Sequence, residues 1–229
     1  MKPTSTSDPA PRVAAFFDVD CTLLDINSGR AWFRYQRARG AIGLKTSLQS
    51  VLWLAMYRMS VLDYDAVTRK VLAPYEGVSL EEVHDEVARW YAAHIRQHLC
   101  REGRAAVERH RARGDVLVLL TSGSRFLNEA VAADLDVPHL LCTEVEAANG
   151  RLTGDYRRPA CYGAGKVHWA EDFARAHGIS LAHSHFYSDS FSDRPMLERV
   201  GHAHVINPDP RLRRYARRRG WPIETWSAS

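Results

Sequence analysis

The run Val13-Ala14-Ala15-Phe16-Phe17 is apolar at every position, a similar run lies within 115–120, and 138–142, 183–187 and 202–206 read as further strands. Runs this short without polar alternation suit strands covered on both faces, as in a parallel sheet. Between the later runs, apolar positions return every three or four residues, which predicts helices at about 125–135, 165–177, 192–199 and 209–219. Strands alternating with helices in this way make a doubly wound parallel α/β sheet. From Ser28 to about Leu99 the spacing is helical, with breaks near Gly40, Ser60 and Gly77-Val78-Ser79, and Ser79 with Glu82 forms a Ser-x-x-Glu capping box. A further helix over 102–113 leads back to the sheet. The pattern therefore predicts a core built from 12–27 and 100–229, a helical cap inserted at 28–99, and a loose tail at 1–11. Arg151-Leu152-Thr153-Gly154-Asp155 reads as a turn or short hairpin.

Composition narrows the class. With 229 residues, 45% of them hydrophobic and 25% charged, the chain can bury a sizeable core, and disorder is expected only at the ends. The tail is rich in Pro, Ser and Thr and has no apolar segment of a secretion signal, so a cytoplasmic location is expected. Cys21, Cys100, Cys142 and Cys161 have no paired spacing and read as free thiols. The stretch Ser50 to Tyr57 is the most apolar of the chain but too short to cross a bilayer. It either packs inside the cap or lines a site for a lipid-like leaving group.

The net charge of +4 comes mostly from arginine, and six arginines fall between Arg211 and Arg219. An anionic surface is one reading of that cluster. Neither interleaved aromatics nor a nucleic-acid motif accompanies it, so nucleic acid is not the expected partner, while peripheral contact with lipid stays open. The pairs His183/His185 and His202/His204 have strand spacing with no cysteine or carboxylate beside them in sequence, and read as partly buried strand histidines before a zinc site.

The chemistry gathers at strand ends. Asp18 and Asp20 follow the first apolar run, where open α/β sheets bind ligands. Two carboxylates two residues apart point the same way along extended chain, and a divalent cation such as Mg²⁺ would offset their repulsion. The alternative is a turn or helix cap. Thr121-Ser122-Gly123-Ser124 follows the second long run before a helix, where a hydroxyl and backbone N–H groups suit a phosphate or simply cap the helix. Lys166 opens another helix, as a ligand group or a solvated charge. Asp189 and Asp193 end the segment His183 to Asp193, either aimed at one cation or serving as cap and first-turn acid.

In this order, Asp-x-Asp-x-Thr, Thr/Ser, Lys and Asp-x-x-x-Asp, the chain resembles the haloacid dehalogenase superfamily. It is most similar to the branch containing phosphoserine phosphatase, and Cys161-Tyr162-Gly163-Ala164-Gly165-Lys166 and Asn207-Pro208-Asp209 resemble stretches of bacterial hydrolases in that branch. The resemblance covers nearly all of 13–226 and is thinnest between about 40 and 100. It implies a phosphatase in which Asp18 is the nucleophile forming an aspartyl-phosphate and Asp20 the general acid and base. It further implies Mg²⁺ held by Asp18, the Asp20 carbonyl and Asp189, with Asp193 in support. Thr121, Ser122, Gly123 and Lys166 would hold the phosphoryl group. Asp20 argues against a dehalogenase or transport ATPase.

Two positions depart from the pattern. Asn27 stands where phosphoserine phosphatases have a glutamate that meets the substrate ammonium, with Asp25 as a conceivable substitute. Ser188 replaces a glycine. Asn27, Arg30 and Arg34 are the specificity candidates, and the implied partner is a small phosphorylated metabolite. A lysophospholipid phosphate hydrolase, a phosphotransferase and a lapsed binding module are the alternatives.

Overall fold

In the computed structural model, which describes residues 11–40 and 64–228, the first apolar run forms β1 (Ala14–Phe17), buried at all four positions. The other strands are β2 (Val116–Ser124), β3 (His139–Thr143), β4 (Val145–Ala148), β5 (Arg151–Tyr156), β6 (His185–Ser188), β7 (His202–Ile206) and β8 (Ile223–Glu224). Helices among the described residues are α1 (Ser28–Ala38), α2 (Tyr64–Leu72), α3 (Leu80–Trp90), α4 (Arg101–Arg113), α5 (Arg125–Asp134), α6 (Ala164–His177), α7 (Arg194–Arg199) and α8 (Pro210–Arg219).

Side chains alternate across each strand, so every buried strand feeds two cores. Ala15, Phe17, Leu117 and Leu119 meet Ala106 and Val107 of α4 and Leu127 and Val131 of α5. Ala14, Phe16, Val118 and Leu120 meet Ala170 of α6, Met196 of α7 and Leu212 and Ala216 of α8. Each large apolar side chain buried this way contributes about 1.5–3 kcal/mol. That two-sided burial explains why these strands lack polar alternation.

The six-stranded sheet has the order β3-β2-β1-β6-β7-β8 with parallel pairing throughout, and β4 and β5 form a separate antiparallel hairpin. The chain steps one way from β1 to β3 and the other way from β6 to β8. The order therefore reverses between β1 and β6, and a crevice opens beyond their carboxyl ends.

α1, α2 and α3 lie between β1 and β2, in the predicted helical insert. The chain enters and leaves this segment side by side: Leu24 bridges Leu99, the Cys100 N–H donates to Leu23 O (2.8 Å), and the Asp25 N–H donates to His98 O (3.0 Å). Ser79 Oγ accepts from the Glu82 N–H (3.4 Å), the capping interaction its sequence predicts. The hairpin braces the segment, with Gly77 N–H donating to Leu152 O (2.8 Å) and the Tyr156 hydroxyl donating to Asp65 (2.6 Å).

Several boundaries differ from the pattern. β2 runs through Ser124, past the end of its apolar run, with a register shift against β3 between Leu120 and Ser124. β6 starts at His185, because Ser184 turns inward to accept from the Ala14 N–H (3.0 Å) and donate to Ser180 O (2.7 Å). His183 thus lies in a single turn (Leu181–His183), not on the strand. The helix expected over 192–199 divides into a turn at Phe191–Asp193 and α7. Most of the tail, the apolar stretch Ser50 to Tyr57 and the break near Ser60 lie outside the described residues. No described helix is long and apolar enough to cross a membrane.

Candidate active site

Asp18 leaves β1 at the crevice, its N–H donating to Tyr187 O on β6 (3.0 Å). The chain then makes a wide turn closed by the Leu24 N–H on Val19 O (2.9 Å), with Asp20 extended and Cys21 left-handed at φ 57°. Few residues other than Gly and Asn take that left-handed conformation readily. Burial, then the nearby carboxylates of Asp189, Asp20 and Asp18, push the Cys21 thiol up to about 12. It fills space and stays protonated. The turn aims Asp20 at the start of α1, where Ser28 N–H donates to its Oδ1 (3.0 Å). Burial raises the Asp20 pKa even so, against those N–H bonds.

Register brings the other segments level with Asp18. Phe17 pairs with Leu119 and with Tyr187, so Thr121 and Asp189 each stand one residue beyond the level of Asp18 on the flanking strands. Lys166, 1% exposed, reaches across from the first turn of α6 and donates through Nζ to Asp18 Oδ1 (2.9 Å) and Asp193 Oδ2 (2.6 Å). Burial works against the ammonium, but Asp18 and Asp193 outweigh it and hold the lysine charged. Gly165 permits that approach, since a Cβ there would lie 1.9 Å from Ala160 O.

Ser188, which replaces the glycine of similar sequences, is buried at the end of β6 and donates its hydroxyl to Asp193 Oδ2 (2.7 Å). With Oδ2 shared by Lys166 and Ser188, Asp193 serves first as the anchor of the lysine. Burial raises Asp189 well above the usual carboxylate range, and Asp18 and Asp193 add to the rise. Asp18 itself is pushed up to about 7 by burial against the pull of Lys166, with Asp193 and Asp20 adding to the rise.

Asp18 and Asp193 flank the buried lysine, and Asp20 and Asp189, each partly buried, lie close enough for their charges to act on Asp18. That is negative charge in excess of its compensation, and hard oxygens only, which fits a Mg²⁺ ion.

Thr121 is buried and its Oγ1 accepts from the Gly123 N–H (3.2 Å). That N–H therefore turns to its own loop, while the threonine hydroxyl proton is left to donate. Gly123 is required by closeness: a Cβ would fall 2.7 Å from Asn128 Nδ2, which donates to Ser124 O (2.7 Å). Ser122 O accepts from Thr143 Oγ1 (3.0 Å), and Thr143 Oγ1 accepts from the Cys161 N–H (3.2 Å), tying this loop to the segment before Lys166. Ser124 makes no side-chain cap on α5, so capping does not explain the Thr-Ser-Gly-Ser run.

The specificity candidates separate. Asn27 is the N-cap of α1, its Oδ1 accepting from the Arg30 N–H (2.9 Å). Arg30 is half-buried, near enough for its charge to act on Cys21, whereas Arg34 is exposed. Asp25 cannot stand in for a glutamate, because His98 Nδ1 (2.8 Å) and the Ala228 N–H (3.3 Å) hold it. Asp209, part of the Asn207-Pro208-Asp209 stretch, is given no role by the resemblance and ties two elements together. It caps α8 by accepting from Arg211 N–H (2.7 Å) and Leu212 N–H (2.9 Å), and its Oδ2 accepts from Phe191 N–H (2.6 Å) in the Asp189–Asp193 loop. Asp followed by Pro210 at a helix start is the signal that marks it.

A sheet switch point ringed by carboxylates around a buried lysine defines an α/β enzyme whose reaction centre is built from acids. The chain belongs to the haloacid dehalogenase-like hydrolase family, whose model matches residues 15–198, and is a phosphoric monoester hydrolase. It is 32% identical over 231 residues to a probable phosphatase of Mycobacterium tuberculosis, covering 96% of this chain and 77% of the relative. It is 29% identical over 214 residues to a histidinol-phosphatase of Neisseria meningitidis, covering 91% and 96%. A crystal structure of a protein of unknown function from Bordetella pertussis superposes with a TM-score of 0.85 at 29% identity, covering 94% of this chain and 99% of that one.

Proposed function

We propose that the protein hydrolyses a small phosphate monoester through an aspartyl-phosphate on Asp18. A carboxylate oxygen of Asp18 attacks phosphorus as the bond to the leaving alkoxide breaks, and Asp20 gives that alkoxide its proton. Asp20 suits the part because its raised pKa keeps a proton available while the Ser28 N–H holds the group in place. In the second step Asp20 takes a proton from water, which attacks phosphorus and frees Asp18. Lys166 holds Asp18 in position and, with the hydroxyl of Thr121, faces the phosphoryl oxygens. Asp18, the backbone carbonyl of Asp20 and Asp189 would hold Mg²⁺, with Asp193 acting through Lys166. The ion would supply charge neutralisation for the attack of an anion on a dianion. The insert expected at 28–99 is read as the cap over this mouth.

The observation that carries the proposal is the pair of bonds from one buried lysine to Asp18 and Asp193, residues 175 positions apart in the chain. α1 carries no acidic residue and presents Arg30, so the substrate class that fits is a neutral or anionic phosphate ester and not one held through its ammonium. Phosphoserine and histidinol phosphate are the controls. Slow turnover of both beside a sugar or polyol phosphate supports this reading, and rapid, selective cleavage of either one overturns it. For the mechanism, Asp18→Asn is expected to lose Mg²⁺-dependent hydrolysis of an aryl phosphate by about 10³-fold or more while keeping its circular dichroism. Activity retained within tenfold would exclude Asp18 as nucleophile.

A further inference from the structure

The opposite pole of the sheet holds a second group of chemistry-bearing side chains. His110 in the last turn of α4, Asp115 just before β2, and His185 at the start of β6 place one ligand atom each within 4.8 Å of one another. His185 stands four residues before Asp189, about 13 Å along the strand at roughly 3.3 Å per residue. This cluster is therefore separate from the carboxylate site. We propose that His110, Asp115 and His185 form a binding site for a borderline divalent transition metal, with Zn²⁺ as its probe ion.

The donor set is two imidazoles and one carboxylate, which suits Zn²⁺ and not the hard, oxygen-seeking Mg²⁺. Each histidine has the supporting partner that metal-bound imidazoles require. His110 Nε2 meets the Tyr187 hydroxyl (2.8 Å), leaving Nδ1, 2.7 Å from Asp115 Oδ2, as the atom facing the cluster. His185 Nδ1 meets His204 Nε2 (3.0 Å), and His185 Nε2 has no hydrogen-bond partner among the described residues. Without the cation, Asp115 accepts the Nδ1 proton of His110. On binding, that proton moves to Nε2 and is donated to the Tyr187 oxygen, so neutral imidazole binds and no net proton is lost. Asp115 supplies the negative charge, against Arg109 and Arg113 nearby. Burial and the neighbouring histidines push His185 down to about 4, which keeps its lone pair free at neutral pH. His202, stacked on His185 with ring centroids 4.4 Å apart, covers the outer side.

The test uses the untagged full chain, stripped of metal and carrying Asp18→Asn and Asp189→Asn so that the other site takes no cation. Titration calorimetry and native mass spectrometry with Zn²⁺ are expected to show one equivalent bound, and His185→Ala to weaken it by about 100-fold. Asp115→Asn, the milder change, is expected to weaken it about tenfold. Co²⁺ added to the chain without either change should give the visible spectrum of imidazole and carboxylate ligation, which decides the matter if both variants misfold. No uptake at micromolar Zn²⁺, uptake unchanged in both variants, or a spectrum of thiolate or purely aqueous ligation would overturn the site.

Discussion

Lys166 shows how much one side chain can be asked to hold. Its ammonium is buried, and it offsets two carboxylates that are buried with it. Removing one partner of such a group leaves charge with neither water nor counterion, and the loss is about 3–5 kcal/mol. Lys166→Met is therefore expected to lower the unfolding free energy by about 3 kcal/mol in urea titrations and to remove turnover. Adding Asp193→Asn should restore part of the stability, because the two sites share one network and their effects do not add. Equal stability of Lys166→Met and the parent would mean that the lysine is not held as the structure shows. Lys166→Arg should not rescue activity, since a planar fork does not fit a position shaped for a point charge.

At the scale of elements, α8 and the loop after β6 act as one unit through Asp209. Loss of a helix N-cap costs about 0.5–2 kcal/mol. Asp209→Ala should cost that much and, because Phe191 N–H also loses its acceptor, loosen the Asp189–Asp193 loop. The expected result is phosphatase activity reduced by about tenfold or more with a higher Mg²⁺ requirement, measured by titrating the metal at fixed substrate. An unchanged metal requirement would limit Asp209 to capping. This coupling also shows where sequence stops being legible. β1 and β2 could be read because two-sided burial leaves no polar alternation, and the helices between the strands because their inward faces repeat. The start of β6, by contrast, depends on Ser184 turning toward Ala14, a contact across 170 residues that no local pattern records. β8 is two residues long and exists because β7 offers it an edge. In the site, the acids and Lys166 are legible as types at spacings, whereas the sequence shows Ser188 only as a lost glycine, because its bond to Asp193 forms only once the loop folds back.

Across the whole molecule, acid acts on the fold through histidines packed on one face of the sheet. On one face of the sheet Phe17 stacks on Tyr187 and Tyr187 on His204, with His185 beside them against His110 and His202. Burial and the neighbouring histidines push His185 down to about 4 and His204 down to about 3. Both are bases whose folded pKa lies below the unfolded value near 6.5. The unfolded chain therefore binds more protons than the folded one between pH 6.5 and about 3–4, and stability is lost as pH falls through that window. At pH 5 the pair should cost about 2 kcal/mol relative to pH 7.5, after discounting for their partial exposure. Buried carboxylates contribute to any acid profile, so the measurement must isolate the histidines. His204→Phe keeps an aromatic ring on Tyr187 and removes one titrating group. In EDTA, with denaturant midpoints taken from pH 7.5 to 4.5, its stability should fall less steeply than that of the parent. Parallel slopes would show that His204 is as easily protonated in the folded chain as in the unfolded one, and that the stack does not hold it neutral.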